Sequence, residues 1–132
     1  MKIRTGFVSN SSTSSFVIMG FTVPRKKFTQ LYYLEHLYGV DTWTSVEDAE
    51  DQFMDHAWNN DIVVRNHEEE GAPEGKDLIG VEVADWSDDG NPPKETEFDV
   101  ADLLAGAAEA RKKLGLSEED APIKLYLGTR MS

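Results

Sequence analysis

The sequence predicts an α+β domain, a single antiparallel sheet with helices packed on one face. Three stretches repeat apolar residues at helical spacing, about 24–38, about 45–59 and between Asp99 and Gly115. Four shorter runs, 16–21, 62–64, 78–84 and 123–127, are continuously apolar or alternate apolar with other residues, as strands do. A length of 132 residues is one domain's worth, enough for a core without metals or disulfides.

Each element has its own signature. Phe16-Val17-Ile18-Met19-Gly20-Phe21 is an unbroken apolar run, as in a strand buried on both faces. Pro24 suits a first helical position and Gly39 a C-terminal cap, with Phe28, Leu31, Leu34 and Leu37 recurring between them. Thr44 with Glu47 forms a capping-box pattern ahead of the stripe Val46, Ala49, Phe53, Ala57. Ile62-Val63-Val64 is a short strand, and 66–77 reads as an acidic loop broken by Gly and Pro. In 78–84, Ile79, Val81 and Val83 alternate with Gly80, Glu82 and Ala84, giving one buried face. A second acidic loop spans 85–97. Asp99 then caps the clearest helix, with Phe98 placed to staple against Leu103. Arg111-Lys112-Lys113 complement its C-terminal dipole, and Gly115 ends it. Pro122 introduces the last strand.

The order is strand, helix, helix, strand, strand, helix, strand. Fusing the first two helices into one crossover gives βαββαβ, a ferredoxin-like plan with an extra helix. The expected division is a Ser-rich N-terminal arm, 1–15, and one α+β domain, 16–132.

Composition removes several functions. There is no cysteine, so disulfide frameworks, thiol catalysis and Cys-based metal sites are excluded. No apolar run approaches the roughly 18 residues of a membrane span, and the Ser run interrupts any signal-peptide core, so a cytoplasmic location is expected. The formal net charge is −12, unevenly spread. Residues 1–34 hold five bases (Lys2, Arg4, Arg25, Lys26, Lys27) and no acid, whereas 35–102 hold 21 acids and three bases. Such a surface repels nucleic-acid backbones and acidic membranes and attracts basic partners.

Candidate sites follow from residue type and spacing. Asp85, Ser87 and Asp89, with Gly90, have the alternation of a calcium loop, but the twelfth position, where a bidentate Glu belongs, is Thr96. A plain Asp/Gly/Pro turn is the competing reading. His36, His56 and His67 show no closely spaced pair, and the glycines form no phosphate loop, so no cofactor is expected. Ser9, Asn10, Ser11 and Ser12 offer hydroxyls and successive N–H groups to an anion, or form a simple arm. The aromatics Phe28, Tyr32, Tyr33 and Tyr38 exceed what one helical stripe buries, which leaves Tyr33 and Tyr38 to face a partner or stand half-exposed.

The opening MKIRTGFVSNSSTSSFVI resembles an N-terminal motif of small uncharacterised phage and bacterial proteins, close to M-K-[IV]-R-x-x-F-[VI]-[ST]-N-S-S-S-S-S-F. Lys2, Arg4, Phe7, Val8, Ser9, Asn10, Ser11, Ser12, Ser14, Ser15 and Phe16 match, and Thr13 replaces a serine while keeping the hydroxyl. The match covers about 18 of 132 residues. It implies a phage or bacterial accessory protein, in the host cytoplasm if phage-encoded, with no activity to carry over. The leading expectation is a non-enzymatic protein that binds a partner, one of basic character or another copy of itself. The alternatives are inhibition of a host nucleic-acid-binding protein by acidic mimicry, and an enzyme or metal binder using the Asp85–Asn91 loop.

Overall fold

The structure, a computed structural model, describes residues 3–5, 13–65, 75–87 and 98–131. Among them are strands β1 (Ile3–Thr5), β2 (Thr13–Pro24), β3 (Ile62–Arg65), β4 (Lys76–Ser87) and β5 (Lys124–Met131). Helix α1 opens at Gln30–Tyr32 and continues as a wider π-helical turn over Tyr33–Leu37. Helices α2 (Val46–Asn59) and α3 (Val100–Lys113) complete the fold.

The sheet is built on the antiparallel pair β2–β4, two 12-residue strands in register from Ser14↔Ser87 to Pro24↔Lys76. One irregularity interrupts them: Val17 faces Ala84 but Ile18 faces Glu82, so Val83 is the extra residue of a bulge. On its other edge β2 pairs antiparallel with β5. The outer edge of β4 is shared by β3, antiparallel along Leu78–Val81, and β1, parallel along Ala84–Trp86. Gly20 and Gly80 meet across β2–β4, and a Cβ built on Gly20 would fall 2.7 Å from the Gly80 Cα. Only paired glycines permit that approach.

Local chemistry explains most helix ends, and two predicted starts shift. The first helix does not begin at Pro24. That residue still pairs with Lys76 as the last of β2, and a turn intervenes in which Lys26 takes the left-handed φ of 72°. Thr29 is the actual cap, its Oγ1 accepting from the Tyr32 N–H at 3.1 Å. The second capping box lies one residue later than expected. Ser45 Oγ accepts from the Asp48 N–H at 3.0 Å, and Asp48 Oδ2 accepts from the Thr44 N–H at 2.9 Å. The third helix starts as predicted, with Asp99 Oδ1 accepting from the Ala101 N–H at 2.9 Å, and ends before Gly115 at a φ of 73°.

Strand boundaries also move. Asp77 belongs to β4, not to a loop, and β4 runs on to Ser87, through residues expected in the second acidic loop. Thr13–Ser15, expected in the arm, are already part of β2, and Ile3–Thr5 pair with β4. Pairing partners supply the reason: a strand lengthens wherever a neighbour can satisfy its N–H and C=O groups.

Helices and sheet share one core. Phe21, Val23, Val64 and Ile79 from the strands meet Tyr33, Leu34 and Leu37 of α1, Ala49, Phe53 and Ala57 of α2, and Ala110 and Leu114 at the end of α3. Leu103 adds a neighbouring cluster with Val81 and Val83, against which Phe98 packs as its staple position predicts. A third cluster, Phe16, Ile18, Val63 and Leu78, consists of strand residues alone. Among the described residues no helix is long and apolar enough to cross a membrane.

Candidate functional site

A cleft of about 380 Å³ opens between the Arg25–Gln30 turn, α1, α2 and the start of β4. Four local decisions make it. Lys26 turns the chain out of β2, Thr29 starts α1, the α2 stripe presents Phe53, Met54 and Ala57, and β4 delivers Asp77 opposite Val23. A non-glycine residue at φ 72° costs on the order of 1 kcal/mol, which the surrounding turn must offset.

A hydroxyl–carboxylate pair lies within the cleft lining. Tyr33, 2% exposed, donates from Oη to Asp77 Oδ2 at 2.9 Å. Burial pushes the Asp77 carboxyl above its ordinary range, against the opposing pull of the Tyr33 hydrogen bond and the Arg25 charge. Burial also pushes the Tyr33 hydroxyl up, and the charge and hydrogen bond of Asp77 add to it. Tyr33 is therefore a fixed donor at neutral pH. Its ring stacks on Phe53, centroids 5.9 Å apart, and takes Phe28 edge-on at 5.7 Å. Phe28 in turn stacks on Tyr32 and lies under the Lys27 ammonium, 5.8 Å from its centroid. Arg25 and Lys26 line the mouth, so the basic segment of an acidic chain converges here. The cleft thus offers aromatic and thioether surface, an internally paired polar group, and a positive rim.

The sequence-predicted residues disperse. Tyr33 does not face outward; it is buried and lines the cleft. Tyr38 is half-buried, its Oη donating to the Ile62 carbonyl at 2.8 Å while its ring stacks on His56. Burial raises its hydroxyl pKa too. Asp85 and Ser87 lie in β4, Asp85 paired with Arg4 of β1 and with Phe16 of β2, so residues 85–87 of the expected loop are strand. Asp89, Ser9, Asn10, Ser11 and Ser12 lie outside the described residues. Among the described residues no group of three or more His, Asp or Glu is placed to hold a metal ion.

Sequence reasoning missed Arg25, Met54 and Asp77. The excess of aromatics on the first helix was the one available signal; the partner Asp77, 44 residues from Tyr33, carried none. Also missed was a fully buried ion pair, Arg65 Nη2 to Glu82 Oε2 at 2.5 Å, between adjacent strands. The Arg65 guanidinium lies 4.1 Å over the Trp58 ring and donates from Nη1 to the Ala57 carbonyl at 3.3 Å. Comparison with known proteins returns no family model, no curated protein and no solved structure that matches this chain.

Proposed function

We propose that this chain is a small acidic accessory protein, of phage or bacterial type, that acts by binding a protein partner. The supporting observation is the chemistry of the cleft. Its Tyr33 and Asp77 are bonded to each other, so a ligand meets mainly aromatic and thioether wall and a basic rim. That combination recognises an apolar side chain flanked by carboxylates. The opposite charge stands on α2, where Glu47, Glu50, Asp51 and Asp55 are exposed and suit basic groups on the same partner. In this reading the protein works in the bacterial cytoplasm and does not contact nucleic acid directly. We also read the sheet as a ferredoxin-like βαββαβ plan with an extra helix and β1 added; the antiparallel order β5–β2–β4–β3 supports that reading.

The test is a tagged pull-down from bacterial lysate with intact-mass analysis, run beside Met54→Arg. Met54 lines the cleft and is 42% exposed, so the substitution is compatible with folding. The reading expects one stoichiometric protein that Met54→Arg no longer recovers. Equal recovery by both proteins removes the cleft from the function.

Acidic mimicry is the second reading, and one observation favours it. Glu47, Asp51 and Asp55 recur every fourth residue on the exposed face of α2, a rise of about 6 Å per step. Competition with DNA for a captured partner, lost on Asp51→Asn with Asp55→Asn, is its test.

A further inference from the structure

Strand β5 closes one side of the sheet, and among the described residues nothing pairs with its outer edge. Natural edge strands are protected by shortness, proline, bulges or charge. This one is eight residues long with charge only towards its ends, at Lys124 and Arg130, and Leu125 and Leu127 are 52% and 71% exposed. Both pair with the partly buried Met19 and Val17 of β2, which pack with Leu103, so they lie on the helix-covered face, beyond the reach of α3.

Helix α3 leaves a matching surface beside them. A Cβ on Gly106 would meet the side chains of Val81 and Ile62, so that flank of α3 faces β3. The opposite flank runs through Val100, Leu104 and Arg111, and Arg111 Nη1 donates to the Ala121 carbonyl, just ahead of β5. On this flank Val100 is 57% and Leu104 42% exposed. Four large apolar side chains from two elements thus border one open strand edge.

We propose that the occupant of this edge is a second copy of the chain, joined by antiparallel β5–β5′ pairing about a two-fold axis perpendicular to the sheet. Backbone pairing is self-complementary under that axis, and both sheets keep their helices on the same side. The two α3 helices then run antiparallel above a common floor of leucines. Net charge permits this arrangement: the repulsion expected of a −12 chain is weakest here, because residues 98–131 hold five bases and six acids, a net of −1. The inference stands apart from the cleft, which lies against α1 and α2.

Sedimentation velocity from about 1 to 100 µM tests it. The full chain should pass from monomer to dimer, and Leu127→Lys should weaken the dimer at least tenfold with an unchanged far-UV spectrum. Because the chain has no cysteine, single-cysteine variants along 124–127 should cross-link under mild oxidation only next to the two-fold axis, where a residue faces its own copy, and not at successive alternate positions. Met54→Arg should leave the dimer intact, which separates this result from that of the cleft. A chain that stays monomeric at the highest concentration, or a dimer indifferent to Leu127→Lys, overturns the proposal.

Discussion

Replacing Glu82 with leucine removes the carboxylate facing Arg65 while leaving the guanidinium inside the protein. Both side chains are fully buried, so water cannot take over the lost partner. The guanidinium would retain the Ala57 carbonyl and the Trp58 ring, and its Nε already has no hydrogen-bond partner. Breaking a buried pair from one side costs about 3–5 kcal/mol. A domain of 132 residues has a total stability of about 7–20 kcal/mol and an unfolding entropy near 0.28 kcal/mol/K, from about 2.1 cal/mol/K per residue. The expected fall in Tm is therefore about 11–18 °C, measured by calorimetry or circular dichroism at pH 7. Adding Arg65→Met to Glu82→Leu should recover most of that loss, because an apolar pair needs no compensation; the coupling energy should exceed about 2 kcal/mol. A cost below about 1 kcal/mol for Glu82→Leu alone, or a double variant as unstable as the sum of the singles, would refute the reasoning.

Three further outcomes follow from named contacts. Gly80→Ala places a Cβ 2.5 Å from the Gly20 Cα, forcing β2 and β4 apart at the centre of the sheet. Expression as insoluble or molten protein is expected, and a native melt within about 1 kcal/mol of wild type would contradict the close approach. Asp99→Ala removes a cap and should cost about 1 kcal/mol in urea unfolding, whereas Thr44→Ala should cost much less, since Ser45 holds the α2 cap. For Asp77 the sign follows from its raised folded pKa. The native state holds the proton longer than the unfolded chain, so the Asp77 contribution declines as pH rises from about 3.8 through the folded value. Asp77→Asn should gain stability relative to wild type across that window, and a pH-independent difference would remove the buried carboxylate as its cause.

The candidate site was much less legible than the elements around it. Phe28, Tyr32 and Tyr33 signalled an over-aromatic helix, yet the cleft also needs Asp77, which sequence reading left at the end of an acidic loop. Whether that carboxylate faces water or Tyr33 depends on strand β4 starting at Lys76, and that depends on pairing with Val23 and Pro24. The Arg65–Glu82 pair was hidden for the same reason. Arg65 adjoins an acidic run, and Glu82 occupies a polar position in an alternating strand; only the register of β3 on β4 brings them into one dry space.

By itself, the sequence determined the α+β class, the three helices, the segments that become β2 to β5, the Asp99 cap and the Gly115 stop. All of these rest on interactions between residues a few positions apart, where periodicity and capping chemistry act. Tertiary structure alone decided the strand order, the extension of β2 and β4 to 12 residues, the Gly20–Gly80 contact, the Tyr33–Asp77 cleft and the open edge of β5. Those features join residues tens of positions apart. Their energies come from pairing backbone groups and excluding water between distant segments, and no local pattern records which segments meet.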